Sequence, residues 1–231
     1  MRNIDSWKSR IELNKKDTKF IHKIVLPRYK YYINKYSKGL LVDMGCGDVP
    51  YYNFYKNNIS DNFCIDFNKS LEHTDLVADL NEKIDVESNK YDTVLCTDLI
   101  EHLKKPNVLF SEISRILKVK GNLILSVPFY YWIHEEPYDY HRYTEYMLNE
   151  FCSDNNLKII EFEAYGGIPE IVADLVIKGY ANNKLPFFYK VLMKTLMIFG
   201  TFLSKRNFIK EISKNSSKNF PLGYILVAQR I

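Results

Sequence analysis

The chain has 231 residues, of which 46% are hydrophobic and 15% aromatic. This composition excludes a disordered or collagen-like polymer, and the length suits one domain with a sizeable core. Residues 1–39 contain 11 basic and 3 acidic side chains, and residues 178–231 contain 10 basic and 1 acidic. Residues 40–177 between them contain 11 basic and 24 acidic side chains. The net charge of +4 therefore combines an acidic middle with two basic ends.

Cysteine spacing and hydropathy exclude further classes of protein. The four cysteines are Cys46, Cys64, Cys96 and Cys152. They form no C-x-x-C pair and have no His at zinc spacing, which predicts a reduced, cytoplasmic protein without a disulfide scaffold. The first residues contain no apolar leader. The most apolar stretch, Leu185–Leu203, includes Lys190 and Lys194, which a membrane-spanning helix tolerates poorly.

From residue 40 onward, short apolar runs typical of strands alternate with helical or loop stretches. The runs are Leu40–Met44, Asn62–Ile65, Leu76–Ala78, Thr93–Thr97, Asn122–Val127, Lys158–Glu163 and Tyr224–Gln229. The fourth and fifth runs are continuous, as in parallel strands that are buried on both faces. Between them, Asn107–Val119 has helical spacing, and Gly121 is expected to stop that helix. This alternation predicts a doubly wound α/β sheet with helices on both faces.

Two helical appendages are expected around this core, within a single domain of residues 1–231. The expected parts are a basic extension at 1–38, a cofactor-binding core at 39–163, a basic and apolar insert at 164–220, and a last strand at 221–231. Possible core anchors of the extension are Trp7, Ile11, Phe20, Ile21 and Ile24.

The insert contains a long apolar stretch with a stripe of lysines. The favoured interpretation is a helix packed on the sheet or on a second subunit, as in a homodimer. The alternative is an interfacial helix at 185–205 that contacts a membrane peripherally. Its lipid-facing residues would be Phe187, Phe188, Leu192, Met193, Leu196, Met197 and Phe199.

A glycine turn follows the first strand, in Leu40-Leu-Val-Asp-Met-Gly-Cys-Gly-Asp48. Glycine at Gly45 and Gly47 lets the backbone approach a ligand closely. Asp66 ends the next strand at the distance along the chain where an acidic side chain can meet ribose hydroxyls. Asp79 ends the third run. Together these features indicate a nucleoside-containing ligand, although a cap or turn role for each Asp is the plainer alternative.

This segment resembles the glycine-rich motif of the class I S-adenosylmethionine-dependent methyltransferases. A dinucleotide-binding turn would have a third glycine where this chain has Pro50. The resemblance runs from about residue 39 to 162 and includes Tyr91–Leu103 and Leu117–Pro128. It implies a mostly parallel, seven-stranded sheet in which the last strand, Tyr224–Gln229, is antiparallel.

Carried over position by position, the resemblance implies a binding site for S-adenosylmethionine. Residues 45–47 would line its methionine part, residues 66–67 and 79–80 its ribose and adenine, and residues 98–99 its sulfonium. The expected cofactor-binding residues are Asp43, Gly45, Cys46, Gly47, Asp66, Phe67, Asp79, Leu80, Asp98 and Leu99.

The stretch after the fifth strand, residues 129–144, is rich in aromatic and ionisable side chains and is expected to form the acceptor site or its lid. His134 and His141 are the candidate general bases, because the pKa of imidazole lies near working pH. Asp139 could orient one of them, and Arg142 could bind a phosphate or carboxylate of the acceptor. The alternative is a structural loop held by an Asp139–Arg142 ion pair.

A second cluster comprises Asp98, Glu101 and His102, which would share one face of a helix start. A similar Glu-His pair serves catalysis or a divalent metal in some quinone-pathway O-methyltransferases. The favoured role here is cofactor contact and charge at a helix N-terminus, so no metal is predicted.

The sequence therefore predicts a cytoplasmic S-adenosylmethionine-dependent methyltransferase that acts on a small polar acceptor. The motif H-E-E-P-Y-D-Y-H-R-Y-T resembles one in bacterial methyltransferases of surface-polysaccharide gene clusters, which implies a hydroxyl of a sugar or glycan precursor. A quinone precursor or another O- or N-acceptor is the alternative. Other classes left open are a non-catalytic subunit and a nucleic-acid-binding protein, although no specific nucleic acid is expected.

Overall fold

The computed structural model describes residues 19–68, 73–182, 186–189, 191–192, 194–195 and 207–231. The described part contains seven strands. They are β1 (Gly39–Met44), β2 (Ile59–Asp66), β3 (Leu76–Val77), β4 (Tyr91–Thr97), β5 (Leu117–Pro128), β6 (Leu157–Tyr165) and β7 (Gly223–Arg230). Each of the seven predicted runs lies in or overlaps one of these strands.

The seven strands form one sheet in the order β3-β2-β1-β4-β5-β7-β6. β1 pairs in parallel with β2 and β4, and the pairs β2–β3 and β4–β5 are parallel as well. β7 pairs antiparallel with both β5 and β6. The predicted doubly wound, mostly parallel sheet with an antiparallel last strand is confirmed. Because the strand order reverses between β1 and β4, the carboxyl ends of these two strands form the crevice where such sheets bind ligands.

Helices cover both faces of the sheet. They are α1 (Lys19–Tyr36), α2 (Tyr52–Tyr55), α3 (Pro106–Ile116), α4 (Glu145–Asp154), α5 (Ile168–Asn182) and α6 (Asn207–Ser216), with a 3-10 turn at Ile100–His102. Consecutive residues of the central strands point to opposite faces. Val42 packs in the cluster that contains the buried residues of α3 and α4, whereas Leu41 packs in the cluster that contains those of α1 and α2. Burial on both faces explains why these strands are continuous apolar runs.

The predicted end of the crossover helix is wrong. α3 ends at Ile116, and Leu117 already pairs with Tyr91 as the first residue of β5. Gly121 lies inside this strand, where a Cβ would come within 2.8 Å of the Lys118 carbonyl oxygen. The glycine is therefore required by a close backbone approach in the strand and does not stop the helix.

The N-terminal extension is helical where the structure describes it, and its helix α1 packs on the sheet. Ile21 is buried, and Phe20 and Ile24 are partly buried against the same cluster. Trp7 and Ile11 lie outside the described residues.

The insert contains α5 and α6, which contact each other. Phe187, Phe188 and Leu192 are 82%, 72% and 41% exposed. The other residues named for a lipid-facing surface, Met193, Leu196, Met197 and Phe199, lie outside the described residues. Among the described helices, none is both long enough and apolar enough to cross a membrane.

Candidate active site

The glycine turn after β1 occupies the crevice at the carboxyl edge of the sheet. Gly45 and Gly47 have φ angles of +68° and +48°, in the left-handed region that glycine adopts without strain. A Cβ on Gly45 would come within 2.7 Å of the Leu99 side chain, whereas one on Gly47 would meet nothing within 4 Å. Cys46 between them is buried. Gly47 thus borders open space that a ligand can enter.

Asp66 fixes this turn from the end of the neighbouring strand. Its Oδ2 accepts a hydrogen bond of 3.0 Å from the Gly47 N–H, and its Oδ1 accepts one of 2.9 Å from the Asn68 N–H. Each carboxylate oxygen retains a second lone pair that can accept from a ligand hydroxyl. Phe67 beside it is 71% exposed, so its ring is available to a flat partner.

Asp43 and Asp79 have different surroundings. Asp43 is buried in β1, and burial raises the pKa of its carboxyl to about 8, helped by the charge of Asp66. Asp79 is exposed, and hydrogen bonds from Asn81 lower the pKa of its carboxyl. Leu80 after it is buried. Asp79 therefore holds a turn at the end of β3 and remains open to solvent.

Asp98 follows β4 in a left-handed conformation, with a φ of +48°. The Tyr29 hydroxyl of α1 lies 2.7 and 2.8 Å from the two oxygens of its carboxylate. Ser126 donates a further bond of 3.1 Å. Burial still outweighs these bonds and raises the pKa of Asp98. The Asp98 carboxylate therefore accepts hydrogen bonds from two hydroxyls, one of which belongs to the N-terminal helix.

The predicted helix start at Asp98 is wrong, because only a single 3-10 turn follows, at Ile100–His102. Glu101 in this turn is 0% exposed. Its Oε1 lies 3.7 Å from His102 Nε2 and 3.8 Å from His134 Nε2. The short turn thus directs a carboxylate into the protein, beneath the loop that follows β5.

That loop is held by an ion pair of Asp139 and Arg142. The two guanidinium nitrogens lie 2.5 and 2.8 Å from the two carboxylate oxygens, and Arg142 also donates to the Trp132 carbonyl at 3.2 Å. The hydrogen bonds from Arg142 lower the pKa of Asp139 to about 2. Arg142 is therefore paired within the loop. This is the structural ion pair that was the alternative to acceptor binding in the sequence analysis.

The two candidate bases have different positions. His134 Nδ1 lies 3.2 Å from Asp139 Oδ2, and its Nε2 faces Glu101. Burial lowers the pKa of His134, but the two neighbouring carboxylates outweigh this, so that its pKa lies above 6.5. The His141 ring packs against Tyr143, with 5.4 Å between ring centroids. Its Nε2 is buried without a hydrogen-bond partner among the described residues.

A cavity of about 170 Å³ joins these groups. Its lining residues are Ile21, His22, Val25, Leu26, Tyr29, Tyr51, Asp98, Glu101, Pro128, Tyr131, His134, Tyr165 and Leu222. Neither His141 nor Arg142 is among them. The cavity lies next to the glycine turn, because Leu99 contacts Gly45 and the adjacent Asp98 lines the cavity.

Sequence reasoning missed the contribution of α1 to this cavity. Ile21, Val25, Tyr29 and Ile33 are buried and four residues apart, as on one helical stripe. A tyrosine on a buried stripe usually has a partner for its hydroxyl. That rule could have suggested a polar group opposite Tyr29, although it could not have identified Asp98.

Comparison with known proteins agrees with this geometry. Residues 42–125 match the family model described as a methyltransferase domain. The chain has the class I methyltransferase fold. The cofactor of this domain is S-adenosylmethionine. A comparison with curated proteins finds no match.

Solved structures share the fold at low sequence identity. A SAM-dependent methyltransferase from Archaeoglobus fulgidus is 14% identical, with a TM-score of 0.58 over 93% of this chain and 97% of that chain. The [4+2]-cyclase SpnF is 15% identical, with a TM-score of 0.54 over 88% and 80%. The phosphoethanolamine N-methyltransferase 2 of Haemonchus contortus, solved in complex with S-adenosyl-L-methionine, is 13% identical, with a TM-score of 0.52 over 96% and 60%.

The residues at the carboxyl edge fit S-adenosylmethionine. The space beside Gly47 is where a Cβ would project, so an L side chain there would compete with a bound ligand. Asp66 has lone pairs for ribose hydroxyls, and Phe67 has an exposed ring for adenine. Asp98 supplies a carboxylate, which suits the positive charge of a sulfonium.

Proposed function

We propose that this chain is an S-adenosylmethionine-dependent methyltransferase that transfers the methyl group to a hydroxyl of a small polar acceptor. The observation that carries the proposal is the cavity beside the glycine turn, because it brings Asp98 and His134 to one space next to the expected cofactor. Methyl transfer needs alignment of an acceptor with the donor carbon and, for an alcohol, removal of a proton.

The bound cofactor supplies an activated methyl group on a cationic sulfur, open to in-line attack. Asp98 lines the cavity and precedes Leu99, which lies against Gly45 of the turn, so its carboxylate would favour the cation. The Tyr29 and Ser126 hydroxyls hold that carboxylate in one orientation. Pre-organised charge of this kind needs no rearrangement during the reaction.

His134 is the group that accepts the hydroxyl proton in the absence of a bound metal ion. The Trp132 carbonyl oxygen lies 3.3 Å from its Nδ1, and Asp139 accepts a hydrogen bond of 3.0 Å from its backbone N–H. In the neutral ring Nε2 then carries the lone pair, and the residue lines the cavity. Since the neighbouring carboxylates raise the pKa of His134, more of it is protonated at neutral pH than of an ordinary His. A base must be unprotonated to act, so turnover should rise with pH through the raised pKa, above 6.5.

The walls of the cavity favour an uncharged ring that carries hydroxyls, such as a sugar of a glycan precursor. Its volume of about 170 Å³ compares with about 150 Å³ for a cavity that accommodates benzene. Tyr51, Tyr131 and Tyr165 are among the lining residues, and no Lys or Arg is among those that the structure describes. The resemblance of residues 134–144 to methyltransferases of surface-polysaccharide clusters supports the same class of acceptor.

The test begins with calorimetric titration of S-adenosylhomocysteine, followed by an acceptor screen on nucleotide sugars, glycan precursors and quinone precursors. Release of S-adenosylhomocysteine is the readout. We expect His134→Ala to lower turnover about 10²- to 10⁴-fold while cofactor affinity stays within about twofold. His141→Ala should cause a smaller loss, because its ring does not line the cavity. Absence of cofactor binding, or unchanged turnover in His134→Ala, would contradict the proposal.

A further inference from the structure

Glu101 is a buried carboxylate that the fold does not satisfy. It is 0% exposed, and neither of its oxygens has a hydrogen-bond partner among the described residues. A buried charge without partners is costly, so such groups usually pair with a cation or bind a metal. The backbone around it is well ordered by hydrogen bonds, since the Tyr140 and His141 N–H groups both donate to the Glu101 carbonyl oxygen. The fold therefore fixes the backbone that carries this carboxylate.

Two imidazoles face the same carboxylate. The ligand atoms of Glu101, His102 and His134 all lie within 4.8 Å of one another. The two rings meet edge to face, with 4.8 Å between their centroids. His102 comes from the 3-10 turn and His134 from the loop after β5, so separate parts of the chain bring these nitrogens together.

The far nitrogen of each imidazole has an acceptor. His102 Nδ1 lies 3.1 Å from the Tyr138 carbonyl oxygen, and His134 Nδ1 lies 3.3 Å from the Trp132 carbonyl oxygen. A carbonyl oxygen only accepts hydrogen bonds, so each Nδ1 bears a hydrogen and, in the neutral ring, each Nε2 presents a lone pair. Metal-binding histidines have this same arrangement, in which an acceptor on the second nitrogen fixes the ring and its tautomer.

We propose that Glu101, His102 and His134 bind one divalent first-row transition-metal ion. Two imidazole nitrogens and one carboxylate suit Zn²⁺ or Fe²⁺ and leave coordination positions open. The Oε1 to Nε2 distances of 3.7 and 3.8 Å need to shorten by a few tenths of an ångström for tetrahedral bonds of about 2.0–2.2 Å to a shared ion. The two imidazole nitrogens, which lie within 4.8 Å of each other, need to approach by up to roughly 1.4 Å, so one ring must rotate or shift when the ion binds. Asp98 is not a ligand, because its oxygens accept from Tyr29 and Ser126.

The ion would border the cavity, which Glu101 and His134 both line. Its part in catalysis rests on the proposed function, whereas its binding does not. An acceptor hydroxyl in an open coordination position would have a lowered pKa and release its proton to water. With an ion bound, Nε2 of His134 would be a ligand and would no longer act as the base.

The experiment uses the full chain, freed of metal by dialysis against EDTA and titrated with Co²⁺, with Zn²⁺ content measured in parallel. We expect the protein to bind one equivalent of Co²⁺. The bound ion should show a visible absorption band typical of coordination by nitrogen ligands. Loss of a residue that only orients a metal ligand typically weakens metal binding about tenfold to hundredfold. Glu101→Gln and His102→Ala remove ligands themselves, so each should weaken Co²⁺ binding by more than this. His141→Ala removes an imidazole from the same loop but not from the site, so it should retain full binding.

Two outcomes would overturn the proposal. They are the absence of saturable Co²⁺ binding, and binding that persists at full affinity in both Glu101→Gln and His102→Ala. Thermal unfolding of the metal-free variants checks that they are folded. Titration with S-adenosylhomocysteine is a separate measurement on the same samples. Metal binding without cofactor binding would contradict the proposed function alone, and the reverse would contradict the metal site alone.

Discussion

Tyr29→Phe tests whether a hydrogen bond from Tyr29 to Asp98 links the N-terminal helix to the site. The Tyr29 hydroxyl lies 2.7 and 2.8 Å from the two carboxylate oxygens of Asp98, and the residue is 0% exposed. Phenylalanine keeps the ring and its edge-to-face contact with Tyr51, at 5.1 Å between centroids. The substitution therefore removes a hydrogen bond to an ionisable group with little change in packing.

The expected loss follows from the charge on the acceptor. A hydrogen bond to a charged group contributes about 1.5–3 kcal/mol to the free energy of unfolding. For a chain of this size, 1 kcal/mol corresponds to a change in Tm of about 2–4 °C. We therefore expect the Tm of Tyr29→Phe to fall by roughly 3–12 °C at a pH where Asp98 is ionised, toward the lower end because Ser126 still donates to Asp98.

The loss should depend on pH in a defined direction. Burial raises the pKa of Asp98 above its usual 3.8, and the Tyr29 hydrogen bond opposes that rise. A carboxyl with a raised pKa stabilises the fold at low pH and loses that contribution as pH rises from its unfolded to its folded pKa. Without the Tyr29 hydroxyl the folded pKa rises further, so the cost of the substitution is largest where Asp98 is ionised. It should shrink as acidification protonates Asp98.

Urea unfolding at neutral and acidic pH measures this difference, and Tyr91→Phe is the matched control. Tyr91 is 1% exposed, and its hydroxyl has no hydrogen-bond partner among the described residues. Removing that hydroxyl breaks no described hydrogen bond, so we expect a change within about 0.5 kcal/mol. The reasoning is refuted if both variants lose the same stability, or if the loss in Tyr29→Phe is the same at every pH.

Two further predictions concern the expected cofactor. Gly47→Ala should weaken S-adenosylhomocysteine binding by at least about tenfold, because an L side chain at φ +48° is strained and its Cβ enters the ligand space. Gly179→Ala is the control, because a Cβ there also meets no atom within 4 Å, and it should bind S-adenosylhomocysteine normally. Calorimetric titration of both variants measures the difference. Asp98→Asn should weaken S-adenosylmethionine by up to about a hundredfold more than S-adenosylhomocysteine, since a charge pair about 6 Å apart contributes about 3 kcal/mol at an effective dielectric constant of 20. Equal losses for the two ligands would contradict a carboxylate near the sulfonium.

The sheet was predictable because burial on both faces leaves a continuous apolar run in the sequence. Thr93–Thr97 and Asn122–Val127 lie in β4 and β5, which pair in the centre of the sheet. The start of β5 was not predictable in this way. Residues 118–120 are exposed, so their polarity resembled the end of a helix although the backbone is already extended.

The cofactor edge was largely predictable because its parts are local. The glycine turn and the acidic residues at strand ends each follow directly from one apolar run. The hydrogen bond between Tyr29 and Asp98 joins residues 69 positions apart in the sequence. No periodic pattern in the sequence predicts such a pair. The approach of His134 to Glu101 depends likewise on how a long loop folds over a short turn.

The limits of the family match explain why the acceptor is harder to infer than the cofactor. The matched segment, residues 42–125, contains the glycine turn, Asp66 at the end of β2 and Asp98 directly after β4. Of the residues that line the cavity, only Tyr51, Asp98 and Glu101 fall within that segment. The remaining walls come from α1, from Pro128 and the loop after it, from Tyr165 at the end of β6, and from Leu222 just before β7. Acceptor selectivity should therefore change when residues of α1 change, while cofactor affinity follows the matched segment.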